Sequence, residues 1–244
     1  MSLRIAIVGY GRMGRAVEVE AEARGHSIVA RIDRNNFEDI EELDPENVDA
    51  VVEFTHPDVA MGIYRKLIEK RLPTVTGTTG WYSERGKVRQ LTEESGSTFL
   101  YASNFSIGVN ILFQLNAQLA RLMNRYPEYD AFVEEAHHRQ KKDGPSGTSI
   151  GLAEQLIDGL DRKNTWVTDE LHHRPPHPEE LSIGYVRAGG IIGRHKVTYT
   201  SEIDDISISH VAHNRRGFAL GAVVAAEWVQ DQQGFFNFRE VFAG

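Results

Sequence analysis

The chain has 244 residues, of which 41% are hydrophobic and 25% charged, and it contains no cysteine. This length is enough for one large domain or two modest ones, and the absence of thiols excludes disulfides, cysteine-ligated zinc and any covalent thioester mechanism. The formal net charge of −8 disfavours nucleic acid as the main partner, because a protein that neutralises a phosphate backbone needs a positive surface.

Apolar runs and helical periods alternate through the first half of the chain. Short apolar runs predict strands at residues 4–8, 27–32, 48–54, 73–76 and 98–102. Helical periodicity predicts helices at residues 13–24 and 58–71, and a polar helix separates the last two strands. The alternation predicts the α/β class with a doubly wound parallel sheet.

The pattern changes after residue 105. We predict helices at 107–125, 146–160 and 218–229, and strands at 131–136, 181–187, 195–201 and 206–212. The last two strands alternate between apolar and polar residues, as an open sheet with one covered face does. The sequence therefore predicts a first domain of residues 1–105 and 216–244, which is interrupted by an inserted α+β domain of residues 106–215.

A glycine-rich turn follows the first predicted strand and opens the first predicted helix. It is a G-x-G-x-x-G run of Gly9, Tyr10, Gly11, Arg12, Met13 and Gly14. In this Rossmann-like context the first glycine makes a tight turn, the second lets the backbone approach a pyrophosphate, and the third lets the helix pack close to the strand. The helix N-terminus then offers N–H groups to the phosphates. The alternative is a turn with no ligand.

An acidic and a basic residue are adjacent at the end of the second predicted strand. Asp33 lies nineteen residues after Gly14, and Arg34 follows it directly. A carboxylate at this place binds the hydroxyls of the adenosine ribose, whereas a guanidinium binds a 2′-phosphate. We therefore expect NADH, NADPH or both as the cofactor. The alternative is a solvated surface pair.

A second glycine and threonine cluster follows the strand at 73–76. It consists of Gly77, Thr78, Thr79 and Gly80, and Glu53 ends the neighbouring predicted strand on the same edge. Open α/β sheets bind ligands at the carboxyl ends of their strands, so these N–H groups and hydroxyls are candidates for holding the nicotinamide ribose. The alternative is a plain β-turn.

The most informative segment lies at residues 135–148 and reads E-A-H-H-R-Q-K-K-D-G-P-S-G-T. It begins where a strand ends and closes where a helix begins. Ser146 is suited to cap that helix, so that the N–H groups of Gly147 and Thr148 can bind a carboxylate.

The same segment carries two imidazoles and an ammonium group. His137 or His138, together with Lys141, could bracket the same anion or deliver a proton. The alternative interpretation is a solvated polar loop followed by a capped helix. A cofactor site upstream favours the catalytic interpretation.

This segment resembles the signature E-A-H-H-R-x-K-x-D-x-P-S-G-T of the 4-hydroxy-tetrahydrodipicolinate reductase family. The resemblance extends to residues 12–14, 77–80 and 104–110, and to the run R-A-G-G-I-I-G-R-H at residues 187–195. It also includes, near the end of the chain, Phe218, Ala219, Gly221 and Ala222. It therefore covers almost the whole chain, and residues 135–148 are its most specific part.

The resemblance implies NAD(P)H-dependent reduction of a cyclic dicarboxylate in lysine and diaminopimelate synthesis. It also implies that the second domain binds the substrate and that the chain forms a homotetramer through the sheet of this domain. It gives His137 the role of acid and base, and Lys141 that of its proton-donating partner. The implied substrate contacts are His138, Ser146, Gly147 and Thr148. The implied cofactor contacts are Gly77, Thr78 and Thr79 with Ala102, Ser103, Asn104 and Phe105.

The remaining histidines form two groups, which are His172, His173 and His177, and then His210 and His213. Their spacing alone would allow a metal site, but no carboxylate cluster lies in matched register, and we predict no metal. We expect neither a nucleic-acid nor a membrane partner and, without a signal peptide or a spanning stretch, a cytoplasmic location.

Two other functions stay open. One is another NAD(P)-dependent dehydrogenase of amino-acid metabolism, although an aspartate-semialdehyde dehydrogenase is excluded because it needs a cysteine. The other is a non-catalytic NAD(H)-sensing protein. A sensor has no use for the cluster of His137, His138 and Lys141, so that cluster favours an enzyme.

Overall fold

The computed structural model describes residues 2–169 and 173–242. The chain forms two compact units, Met1–Ile107 with Arg216–Gly244, and Gly108–Arg215. Within the described ranges, no helix combines the length and the apolar character needed to cross a bilayer.

The first unit contains a six-stranded sheet. Its strands are β1 (Arg4–Val8), β2 (Ser27–Ile32), β3 (Ala50–Glu53), β4 (Thr74–Thr76), β5 (Thr98–Tyr101) and β11 (Gly234–Asn237). They lie in the order β11–β5–β4–β3–β1–β2, and every neighbouring pair is parallel. From β1 the chain first adds β2 on one side and then returns to add β3, β4 and β5 on the other side. This reversal in the order of connection confirms the predicted doubly wound fold.

Helices cover both faces of this sheet, and they are α1 (Arg12–Ala23), α2 (Pro57–Glu69), α3 (Arg85–Ser95) and α6 (Arg216–Trp228). β1 contributes Ile5 and Ile7 to the core under α1 and α6, and it contributes Ala6 and Val8 to the core under α2 and α3. Because both faces are buried, the strands are continuous apolar runs and do not alternate. This is the pattern by which the sequence predicted them.

Several short elements of the first unit were missing from the sequence prediction. They are the 3-10 helices Phe37–Glu42, Tyr82–Glu84, Val229–Asp231 and Phe238–Phe242, and strand β11. The span after β2 was predicted to be loop-like throughout. β11 has only four residues, and its pairing of Phe235 with Phe99 of β5 is a long-range contact that local periodicity does not reveal.

The second unit contains a five-stranded mixed sheet. Its elements are α4 (Ile107–Met123, whose first residue closes the first unit), β6 (Asp130–His137), α5 (Gly147–Gly159), β7 (Thr165–Val167), β8 (Glu180–Arg187), β9 (Gly193–Thr200) and β10 (Asp205–Ala212). The order is β10–β9–β6–β8–β7. β6, β8 and β7 are parallel, and β9 and β10 are antiparallel to their neighbours. The three-residue strand β7 was not predicted. The central strand β6 ends at the segment of residues 135–148.

Candidate active site

The glycine-rich turn between β1 and α1 depends on its glycines for two different reasons. Gly9 has a φ of +96°, and a Cβ there would lie 2.1 Å from the carbonyl oxygen of Phe54. A Cβ on Gly14 would lie 2.5 Å from the carbonyl oxygen of Gly9, whereas a Cβ on Gly11 would meet nothing within 4 Å. Gly9 and Gly14 are therefore required by the turn itself, while Gly11 opens onto space that a ligand could occupy.

The side chains of this turn are held by the fold. The Tyr10 hydroxyl donates to Glu18 of α1, and the Arg15 guanidinium lies 5.4 Å from the centre of the Tyr10 ring. Arg12 is exposed and Met13 half-buried at the start of α1. Tyr10 thus braces the turn from outside, and the backbone of the turn faces the cavities described next.

A cavity of about 710 Å³ lies at the carboxyl ends of β1, β2 and β3, and its walls include Gly9, Gly11, Asp33 and Arg34. Asp33 is half-buried, and its Oδ1 accepts a hydrogen bond of 2.7 Å from the Asn35 N–H, which fixes the carboxylate. Arg34 is exposed. The size of the cavity, its glycine wall and the fixed carboxylate fit the adenosine half of a dinucleotide.

A second cavity of about 380 Å³ shares Gly11, Phe54 and Thr55 with the first one. Its walls also include Arg12, Met13, Gly77, Thr78 and Thr79. The two cavities therefore form adjoining parts of one crevice along the carboxyl edge of the sheet. The second part lies where the other half of a dinucleotide would bind.

A buried carboxylate organises the wall of this second cavity. Glu53, at the end of β3, is 0% exposed. Its Oε1 accepts hydrogen bonds from the Thr55 N–H at 2.7 Å and the Thr78 hydroxyl at 2.8 Å. Its Oε2 accepts from the hydroxyls of Tyr64 and Thr76. One side chain thus ties the loops after β3 and β4 together.

The segment after β5 lies outside both cavities. Ala102 and Phe105 are buried in the core, Ser103 is exposed, and Asn104 is half-buried with its Oδ1 accepting a 2.8 Å hydrogen bond from the Ser106 N–H. Neither the 710 Å³ cavity nor the 380 Å³ cavity is lined by these four residues of the predicted cofactor set. Their cofactor contact therefore stays a prediction.

The second unit gathers the polar residues of its site around Glu135. Alternation along β6 places Glu135 and His137 on the same face of the sheet. The Glu135 side chain is fully buried, and its Oε1 lies 2.6 Å from Nη2 of Arg187 on β8 and 3.6 Å from Nδ1 of His137. The Ser149 hydroxyl donates to Oε2 at 2.6 Å. His195 of β9 lies 3.6 Å from the same oxygen.

Ser146 caps α5 as predicted. Its hydroxyl oxygen accepts a hydrogen bond from the Ser149 N–H, while the hydroxyl donates to Glu135. The first turn of any helix leaves N–H groups without an intrahelical acceptor. Gly147 is exposed at this turn, and a Cβ there would meet nothing within 4 Å. The capped helix end is therefore accessible to an anion.

Burial and neighbouring charges set the protonation states here. Burial alone would raise the pKa of Glu135, but the nearby His195 ring and hydrogen bonds from Ser146, Ser149 and Arg187 together lower it far below its ordinary value. Burial lowers the pKa of His137 to about 4, with Glu135 opposing the shift and the nearby cations adding to it. At neutral pH, Glu135 is therefore a carboxylate and His137 a neutral ring.

The loop between β6 and α5 carries the remaining candidates. Lys141 forms an ion pair of 2.6 Å with Asp143, whose pKa is lowered chiefly by that hydrogen bond. His138 is half-buried, and its Nδ1 has no hydrogen-bond partner among the described residues. His137 Nδ1 is in the same situation. The site thus contains a charged donor and two buried ring nitrogens that have no hydrogen-bond partner among the described residues.

Both halves of the chain match the same protein family. Residues 3–105 match "Dihydrodipicolinate reductase, N-terminus", and residues 108–242 match "Dihydrodipicolinate reductase, C-terminus". The chain belongs to the dihydrodipicolinate reductase family. Its motifs at residues 9–14 and 135–148 fall within the first and the second match.

Individual relatives agree with this assignment. A 4-hydroxy-tetrahydrodipicolinate reductase from Christiangramia forsetii is 40% identical over 243 residues, which are 99% of this chain and 98% of the relative. Another from Neisseria meningitidis serogroup B is 35% identical and covers 79% of this chain and 72% of the relative. A dipicolinate-bound dihydrodipicolinate reductase from Paenisporosarcina sp. TG-14 shares the fold, with a TM-score of 0.81 at 22% identity over 98% of this chain and 99% of that chain.

One grouping of residues in the second unit was not predicted. Glu135, His137 and His195 have potential ligand atoms within 4.8 Å of one another, a spacing that a divalent ion could use. However, Arg187 already neutralises Glu135, and Ser146 and Ser149 occupy its second oxygen. We therefore assign these residues to a hydrogen-bond network. Of the histidines weighed earlier, His173, His177 and His213 are exposed, His210 is half-buried, and His172 lies outside the described residues.

The roles of Arg187, Ser149 and Glu53 were not predicted from the sequence. The i, i+2 spacing of Glu135 and His137, at the end of the strand predicted for residues 131–136, was a usable signal, because it places both on one face if the strand continues to His137. The pairing of Glu135 with Arg187 across β6 and β8 had no local signal, since it depends on the register of two strands far apart in the chain.

Proposed function

We propose that this chain reduces 4-hydroxy-tetrahydrodipicolinate to tetrahydrodipicolinate with NADH or NADPH. The conversion consumes one hydride and one proton and releases one water. The observation that supports it most directly is the Ser146-capped start of α5 beside His137 and Lys141. In a chain with a net charge of −8, a local site built to bind an anion points to a dicarboxylate substrate.

The residues of the first unit would bind the cofactor. The turn at Gly9, Gly11 and Gly14 would receive the pyrophosphate, and Asp33 and Arg34 would contact the adenosine ribose. The bound cofactor supplies the hydride. The residues that line the two adjoining cavities would bind the cofactor and orient it.

The residues of the second unit would bind the substrate and handle the proton. His138, Ser146, Gly147 and Thr148 would hold a carboxylate, and the charged Nζ of Lys141 would donate a proton. His137 is neutral at neutral pH and would accept a hydrogen bond or a proton at its ring. Entry of a dianion would favour the protonated ring, because an added negative charge raises a histidine pKa.

The test is a spectrophotometric assay of the purified chain with 4-hydroxy-tetrahydrodipicolinate and either cofactor. We expect substrate-dependent loss of NADH or NADPH absorbance. Cofactor binding without turnover of this substrate would contradict the proposal and would favour another dehydrogenase or a sensor. The sequence predictions of a cytoplasmic location and of a homotetramer are part of this proposal and stay predictions.

A further inference from the structure

The Glu53 carboxylate is an unusual feature of the first unit. It is 0% exposed at the carboxyl end of β3. Among the described residues, its hydrogen-bond donors are all uncharged: the Thr55 N–H and the hydroxyls of Thr55, Tyr64, Thr76 and Thr78. A buried charge is usually paired with an opposite charge. This one is satisfied only by dipoles.

The contacts suit an ionised carboxyl group, and the Tyr64 and Thr76 hydroxyls also lie within hydrogen-bond distance of each other, at 2.8 Å. The Thr55 N–H can only donate, so Oε1 must accept, and hydroxyls converge on both oxygens. An ionised carboxyl group has acceptor sites for all of them. Burial and the negative charge of Glu53 together raise the pKa of Tyr64, which keeps its hydroxyl neutral and donating.

The charge lies directly behind a cavity wall. Thr55 and Thr78, which both hydrogen-bond to Glu53, line the 380 Å³ cavity together with Gly77 and Thr79. Screening by water is weak at a buried site, so a fixed charge acts more strongly on a bound group there than in solvent. A nicotinamide ring is neutral when reduced and positively charged when oxidised.

We propose that Glu53 biases the cofactor site towards the oxidised, positively charged nicotinamide and thereby favours the loss of hydride. It does so as a positioning residue, through the walls of the site and through its fixed charge. This inference rests on the proposed function, because it requires a nicotinamide cofactor at the carboxyl edge of this sheet. Preorganised charge of this kind needs no reorganisation when the ring becomes charged.

The geometry provides a clean substitution. In Glu53→Gln the amide oxygen can replace Oε1 and keep the Thr55 N–H bond. The amide nitrogen then faces the Tyr64 and Thr76 hydroxyls, which can accept as well as donate. The variant removes the charge and keeps the shape. The matched control is Tyr64→Phe, which removes one hydrogen bond to Glu53 and keeps the charge.

The experiment is calorimetric titration of NADH and of NAD⁺ into the full-length wild-type chain and both variants. We expect Glu53→Gln to weaken NAD⁺ binding about tenfold more than NADH binding, which for a two-electron couple corresponds to about 30 mV in the potential of the bound cofactor. Tyr64→Phe should change both affinities by the same factor. A purely structural role for Glu53 would likewise change both affinities together.

The outcomes separate this inference from the proposed function. If the wild-type chain binds neither nucleotide, both fail. If it binds both and the affinity ratio is the same in Glu53→Gln, only the inference is wrong. Glu53→Met, which is also neutral and of similar length, serves if Glu53→Gln does not fold. If both neutral variants are unfolded, the Glu53 carboxylate is needed for folding, and the proposed bias towards the oxidised cofactor is wrong.

Discussion

His137 shows how a few neighbours determine what a residue can do. Its ring lies 5.1 Å from the ring of His195 and 3.6 Å from Glu135, and it is largely buried. The sequence predicted the residue and its strand. It could not predict that Glu135 would be held by Arg187, Ser146 and Ser149, because those contacts join three separate elements, β6, β8 and α5. Residue identity was therefore predictable here, and protonation state was not.

The chemistry assigned to this site predicts a large kinetic effect. His137→Gln and Lys141→Ala should each lower kcat by about 10²–10⁴-fold, which is the usual contribution of a positioned acid or base. Cofactor affinity should stay unchanged, because the dinucleotide residues lie in the other unit. Thr148→Val removes only a hydroxyl and should act mainly on KM. Turnover close to the wild-type value in both the His137 and Lys141 variants would show that the catalytic groups do not lie in this loop.

The lowered pKa of His137 predicts a dependence of stability on pH. The folded-state pKa of about 4 lies below the ordinary 6.5, so between these values the unfolded chain binds a proton that the folded chain does not. This contribution to stability is present above pH 6.5 and is lost as the pH falls towards 4. We expect Tm to fall between about pH 7 and pH 5, and to fall less in His137→Gln. Equal slopes in thermal melts of both proteins would contradict the assignment.

Cofactor preference depends on another residue-scale feature. Arg34 is exposed beside the fixed carboxylate of Asp33 and can contact a 2′-phosphate, which only NADPH carries. Arg34→Ala should therefore raise the KM for NADPH and leave that for NADH nearly unchanged. Steady-state kinetics with both cofactors test this. Equal changes in the two KM values would show that Arg34 does not contact the phosphate.

At the scale of elements, local signals predicted most boundaries. Pro57 starts α2 and Ser146 caps α5, since both depend on neighbours within one helical turn. The strands β7 and β11 were missed, because each has three or four residues and is stabilised by pairing with a distant strand. The form of the turn between β1 and α1 was predictable, because the positions of Gly9 and Gly14 leave no space for a Cβ and therefore require glycine.

That turn predicts two opposite outcomes for two glycines. A Cβ at Gly11 would meet nothing within 4 Å, so we expect Gly11→Val to leave the fold intact. The side chain should nevertheless block the backbone approach and weaken NADH binding at least tenfold, or about 1.4 kcal/mol. Gly14→Ala forces a Cβ against the Gly9 carbonyl and should lower stability by about 1–3 kcal/mol. Titration of NADH and thermal melts distinguish the two, and unchanged binding by folded Gly11→Val would contradict the assignment.

At the scale of the whole molecule, the predicted tetramer has a specific surface to test. β10 is an edge strand of the mixed sheet, and its Ile206 and Val211 are exposed. An unprotected apolar edge favours pairing with another chain. Light scattering should give four times the chain mass, and Ile206→Lys should reduce it. Val29→Lys, at an exposed position of edge strand β2 in the first unit, is the control and should leave the mass unchanged. A wild-type monomer would refute the prediction.

The first unit is built from two separate parts of the chain, and this affects the order in which the units can fold during synthesis. Residues 108–215 form one uninterrupted unit, whereas the first unit needs α6 and β11 from residues 216–244. α6 packs so closely on the loop after β5 that a Cβ on Gly221 would lie 1.7 Å from the Phe105 carbonyl oxygen. Domains usually fold from the N-terminus onward as the ribosome releases them. In this chain the middle segment can form its core before residues 216–244 are made, whereas one face of the N-terminal sheet lacks α6 until those residues have been synthesised.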